Sequence, residues 1–131
     1  MTTAEYETTW TNFHSVVHSS IDTLRSEYPG VEIFCIAYGG GAVELRKLLD
    51  ADNLPDVTGL TSNSKTGIFV ADNLGHADPI LRDLGRLIWL RAIYDIDMIT
   101  YAHDPGYITD LKALTQAVTD AHDPAYDAPY R

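Results

Sequence analysis

The chain has 131 residues, a net charge of −10 and a hydrophobic fraction of 45%, with an isoelectric point near 4.6. That length makes one domain, able to bury a core without disulfides or metals. The acidity speaks against nucleic acid as a ligand, because phosphates need a cationic face. The single cysteine, Cys35, excludes an internal disulfide framework and reads as a small buried hydrophobe. No apolar run approaches the length that spans a bilayer, so no membrane partner is expected. The polar, acidic opening Met1-Thr2-Thr3-Ala4-Glu5 is unlike a secretory signal, which favours a cytoplasmic location.

The first element is a helix. Thr2 and Glu5 have the spacing of a capping box, and Trp10, Phe13, Val17, Ile21, Leu24 and Tyr28 recur at threes and fours until Pro29-Gly30 stops the pattern. His14 and His18, four apart, share one face of it. That spacing can hold zinc, but no glutamate or third ligand accompanies it, so packing at the edge of the buried face is the favoured reading. Ser15, Ser19 and Ser20 lack the exposed turn that activates a nucleophile. Residues 31–38 then read as the best strand of the chain, with Ile33, Phe34, Cys35 and Ile36 as a continuous apolar run. Gly39-Gly40-Gly41 reads as a flexible turn into a helix carrying Val43, Leu45, Leu48 and Leu49, since its spacing matches neither a P-loop nor a dinucleotide motif. Residues 50–64 form a long polar loop in which Asp50, Asp52 and Asp56 lack the glycine and glutamate that a calcium loop needs.

Residues 65–96 organise the rest. Residues 67–71 are a short apolar run that predicts an interior strand, followed by the polar connection Asp72-Asn73-Leu74-Gly75-His76. Asp78 and Pro79 then open a helix, the Asp as acceptor of free backbone N–H groups and the proline at the first helical position. Ile80, Leu81, Leu84, Leu87, Ile88 and Ile93 recur along it at helical spacing, and this helix must be largely buried. His76 thus falls just past the carboxyl end of a strand, where open α/β sheets commonly bind ligands.

This block resembles the last conserved block of SGNH/GDSL-type serine esterases. There an acidic residue precedes a histidine by three positions, and a helix like Leu84-Gly85-Arg86-Leu87-Ile88-Trp89-Leu90 follows. Residues 24–38 are similar to the helix, turn and late strand of that family, and residues 45–59 to its loop before the histidine strand. The resemblance covers roughly the second half of such a domain. It implies His76 as general base with Asp72 or Asn73 as its orienter, acting on O-acyl esters. Asn73 stands where the family has its aspartate, and neither the Gly-Asp-Ser nor the Gly-x-Asn block occurs in this chain. The nucleophile would therefore come from another segment.

Residues 98–102 read as a short strand or an extended crossing, Asp104-Pro105-Gly106 as a turn, and Ile108, Leu111, Leu114 and Val118 as the apolar face of a last helix. Arg82, Arg86 and Arg91 are expected to pair with acidic neighbours. Residues 122–131, rich in Pro, Asp and Tyr, read as a surface tail behind a single domain of residues 1–121. The order of elements predicts a three-layer α/β domain with a small, mostly parallel sheet. Two functional expectations follow: an SGNH-hydrolase-like module, or a small acidic binding or inhibitor protein without catalysis. The first predicts an exposed sheet edge that a complementary chain or a second copy covers. Neither calls for a cofactor or a metal.

Overall fold

The computed structural model describes residues 1–72 and 74–129. Its elements are α1 (Thr3–Glu27), α2 (Tyr38–Asp50), β1 (Gly59–Ser62), β2 (Gly67–Val70), α3 (Pro79–Tyr94) and α4 (Leu111–Asp120), closed by a 3₁₀ turn, Pro124–Tyr126. The fold is mixed α/β, and β1 and β2 pair in parallel, Gly59 opposite Gly67 and Ser62 opposite Val70.

The capping box forms as its spacing predicts. The Thr2 hydroxyl accepts the Glu5 N–H and the Glu5 carboxylate accepts the Thr2 N–H at 2.7 Å. Along α1, however, Ile21 is the only buried residue among those described, while Phe13, Val16 and Leu24 stay exposed. The centre of the core is α3. Its Leu81, Leu84 and Ile88 are fully buried and meet Leu45 of α2, Ile68 of β2 and Leu111 of α4. Each such side chain stabilises the fold by about 1.5–3 kcal/mol.

Four expectations are corrected. Residues 31–37 are not a strand: they run extended beside the 3₁₀ turn, where the Cys35 N–H donates to the Tyr126 carbonyl at 2.8 Å. An apolar β-branched run is compatible with any covered extended segment; only a partner strand makes it a sheet. Gly39, Gly40 and Gly41 are not a turn but part of the first turn of α2. Their lack of a Cβ lets other elements approach: a methyl on Gly39 would lie 2.1 Å from the Trp10 ring, and one on Gly41 2.9 Å from Ile88. The loop over residues 50–64 contains β1 in its second half. Where a short strand or an extended crossing is expected over 98–102, residues 98–100 make a turn held by the Asp97 carboxylate on the Ile99 N–H at 2.9 Å, and Met98 is fully buried beneath it.

The return from β1 to β2 is short for a parallel pair, which normally needs a crossover of a dozen or more residues. Lys65 supplies the necessary left-handed backbone with φ of 63°. The Ser62 hydroxyl accepts the Ser64 N–H at 2.9 Å, and the Thr58 N–H reaches the Thr66 carbonyl at 2.8 Å. Gly67 closes the ladder so tightly that a Cβ would meet backbone atoms of Phe69 and Ser62 at 2.8 Å.

Asp78 departs from the capping role that its position predicts. Its carboxylate makes no cap to α3; it is 3% exposed and accepts the Gly67 N–H at 2.9 Å. It therefore ties the start of the central helix to the start of β2. For two of the three arginines the pairing agrees with expectation: Arg86 pairs with Asp83, and Arg91 reaches Asp120 at 3.0 Å and the Thr119 hydroxyl at 2.8 Å. No helix among the described residues is long and apolar enough to cross a membrane.

Candidate metal centre

The two groups of sequence candidates end in different places. After β2 the chain doubles back: the Val70 N–H donates to the His76 carbonyl at 2.9 Å, and Phe69 bridges Ala77 in antiparallel sense. This hairpin-like turn brings the Asp72 carboxylate onto Nδ1 of His76. Hydrogen bonds from the Leu74 N–H and then from the His76 ring hold the Asp72 carboxyl below its ordinary range. The pair has the orientation of an acid–base dyad, yet the His76 side chain is 67% exposed. Among the described residues, no serine, threonine or cysteine side chain hydrogen-bonds its ring. Asn73, the third sequence candidate, lies outside the described residues.

His14 and His18 meet the ligands that their spacing lacked. The helical repeat puts both on one face of α1, with ring centroids 5.3 Å apart. The extended segment after α1 brings up Cys35, and the chain leaving α4 brings up His122. One ligand atom from each of these four residues lies within 4.8 Å of all the others. Nε2 of His18 and Nε2 of His122 are 3.3 Å apart. A tetrahedral zinc ion with bonds of about 2.0–2.1 Å to nitrogen separates its nitrogen ligands by about 3.3 Å. The same separation suits a proton shared between the two rings, so metal uptake competes with that proton.

The surroundings of the cluster orient it. Nδ1 of His122 bonds the Asp127 carboxylate at 2.6 Å, which fixes the tautomer that turns the Nε2 lone pair toward His18. The His122 side chain is 4% exposed. His18 stacks on the Tyr126 ring, with centroids 3.7 Å apart and planes 6° from parallel. The Tyr126 hydroxyl in turn donates to Asp22 at 2.9 Å. Arg25 clamps the two flanking segments to α1, its guanidinium donating to the carbonyls of Ile33 at 2.8 Å and Ala125 at 2.9 Å. Residues 122–129, within the stretch 122–131 read from sequence as a tail, thus supply one of the four candidate ligands, its carboxylate partner and the ring beneath another.

Electrostatics favour the neutral forms of His14 and His18. Burial lowers the pKa of His14, and the neighbouring His122 and His18 lower it further. Burial and His122 also lower that of His18, against the pull of Asp123 and Asp22. Burial pushes the Cys35 thiol up, so a metal must displace its proton to gain the thiolate. Three imidazoles and one thiolate form a borderline-soft donor set that suits Zn²⁺.

A groove of about 560 Å³ opens beside the cluster. It is lined by Glu7, Trp10 and Thr11 of α1, Val43 and Glu44 of α2, Val118 of α4, and by the three histidines together with Asp123. Cys35 is not among the residues that line it. The Trp10 ring joins groove to cluster, lying 4.5 Å from the His14 ring. Comparison with known proteins finds no matching family model, curated protein or solved structure.

Two of the four residues, Cys35 and His122, escape sequence reasoning. The only local signal is the i, i+4 pair on α1; the other two come from 17 and 104 residues beyond His18, which no spacing motif spans.

Proposed function

We propose that this chain is a zinc-binding α/β protein in which His14, His18, Cys35 and His122 hold one metal ion. The observation that carries the reading is the convergence of four ligand atoms within 4.8 Å, with a carboxylate already bonded to the back of His122. Metals are held in this manner because an oriented imidazole loses less freedom on binding. The ion joins α1, the segment over residues 31–37 and the carboxyl-terminal segment at one point, and so forms the end wall of the groove. The test is elemental analysis of the full chain after equilibration with buffered zinc and gel filtration. One zinc per chain is expected, falling to well under half in His18→Ala and His122→Ala. Wild-type protein that emerges without zinc, or variants that keep a full equivalent, would sink the proposal.

The Asp72–His76 pair supports a second reading, an SGNH-like hydrolase module whose serine comes from another segment or chain covering an exposed sheet edge. The supporting observation is the hydrogen bond from Nδ1 of His76 to the Asp72 carboxylate, the arrangement that orients a general base. Reaction of the purified chain with a fluorophosphonate probe tests it. A single adduct that disappears in His76→Ala places an activated serine in this chain rather than in another, and no adduct excludes catalysis by this chain alone.

A further inference from the structure

The groove beside the cluster carries a surplus of negative charge whether or not metal is bound. On α1, Glu7, Thr11, His14 and His18 follow one another at fours and threes, so they form one stripe about 16 Å long. Glu7 and Glu44 stand together at the end away from His18, since both accept the Lys47 ammonium, at 2.7 and 3.0 Å. Asp123 adds a third carboxylate at the histidine end, and no lysine or arginine lines the groove. Three carboxylates against the single Lys47 ammonium leave two surplus negative charges. Zn²⁺ with one thiolate and three neutral imidazoles carries a net +1, so an occupied metal site removes only one of them. The amino end of α2 and the carboxyl end of α4 both meet the groove, through Gly40 and Ala121, and their half-charges of opposite sign offset each other.

We infer that this groove binds a small organic cation, an ammonium with a compact apolar body, whose charged end lies between Glu7 and Glu44. Lys47 reaches Oε1 of each carboxylate and does not itself line the groove. Oε2 of each receives no donor from the described residues. Two such oxygens are what an ammonium with several N–H groups requires, and charge-assisted hydrogen bonds of this kind are the strong ones. Trp10, three residues on from Glu7, is its neighbour on the helix surface and also lines the groove. An indole ring attracts a cation held within about 6 Å of it. The apolar body lies on Trp10, Val43 and Val118, in a cavity of the size that suits a small molecule. It points toward the histidines and makes no bond to the metal, whose four ligands are all from the chain. An anionic ligand of the same shape would be repelled along the whole groove.

The test is a nuclear magnetic resonance titration of the isotope-labelled full chain at neutral pH. The probe is phenethylamine, with 2-phenylethanol and 3-phenylpropionate as its neutral and anionic counterparts. The indole N–H signal of Trp10 should move in a saturable, one-to-one manner with phenethylamine, while that of Trp89, outside the groove, stays in place. The alcohol and the carboxylate should bind at least tenfold more weakly. Glu7→Gln/Glu44→Gln keeps the side-chain size, leaves the Lys47 ammonium unneutralised and should lower the affinity at least tenfold. Thr11→Lys, at an exposed position on the groove wall, should do the same by setting a competing ammonium one turn from Glu7. The same results are expected whether or not the purified chain holds zinc, so failure of the metal reading leaves this one standing. A Trp10 signal that phenethylamine does not move saturably overturns the inference. Equal affinity for the alcohol overturns the role of the charge, and full affinity in either variant overturns its placement at Glu7 and Glu44.

Discussion

Zinc should stabilise this protein by an amount that the structure allows to be worked out. The ion connects three chain segments that separate on unfolding, so its binding free energy to the folded chain appears as folding stability. With free zinc at about a thousand times the dissociation constant, the linkage is worth about 4 kcal/mol. Unfolding entropy of about 2.1 cal/mol/K per residue over 131 residues converts this into a rise of about 15 °C in Tm. The unfolded chain keeps its histidines and cysteine, and any metal it holds makes about 15 °C an upper bound. The assay is a thermal melt followed by circular dichroism, with free zinc fixed by a chelator buffer over several decades. Each tenfold step should add about 1.4 kcal/mol, or about 5 °C. A Tm indifferent to free zinc refutes the reasoning, and so does an equal rise in the double variant His14→Ala/His122→Ala, which would place the metal elsewhere.

Three further outcomes are expected. Asp127→Asn leaves every ligand in place but removes the carboxylate behind His122; zinc affinity, measured by competition with a chromophoric chelator, should fall about 10–100-fold. Gly67→Ala forces a methyl against backbone that cannot give way, 2.8 Å from Phe69 O and Ser62 N. It should cost about 1–3 kcal/mol in urea unfolding, and a neutral result would contradict the close return of β1 to β2. Tyr107 donates to Asp83 at 2.8 Å, and burial together with that acceptor pushes its pKa up to about 12. The folded state therefore retains this proton longer than the unfolded chain. Its stabilising contribution is complete below about pH 10, the ordinary tyrosine value, and is lost as pH rises through about 12. Ultraviolet titration of the wild type and Tyr107→Phe should show that the variant lacks the latest step; loss of an ordinary step near pH 10 would refute the assignment.

What the sequence discloses is mainly local. The Thr2–Glu5 cap, the β2 strand and the buried stripe of α3 are written within a few residues of themselves, and they fold as read. Residues 31–37 mislead because their apolar run requires cover, and cover by the carboxyl-terminal segment satisfies it as well as a neighbouring strand would. Gly39 and Gly41 mislead for a related reason. Their missing side chains leave room for Trp10 and for Leu84 and Ile88, none of which is near them in sequence, whereas a glycine run read alone signals a turn. The metal cluster is half legible. His14 and His18 declare themselves by helical spacing, but Cys35 looks like core and His122 like tail until the chain is closed. Asp72 and His76 are legible because only one turn has to bend back to join them.

The way α1 is held bears on how fast a bound ion can leave. This helix provides two of the four ligands, yet Ile21 is the only buried residue among those described in it. The buried side chains around α3 play no part in ligation. Lifting α1 away is thus a smaller event than unfolding the core, and partial openings of this kind occur more often than global ones. Metal exchange would follow the rate of that local opening, so a protein that is stable as a whole could still trade its ion quickly with its surroundings.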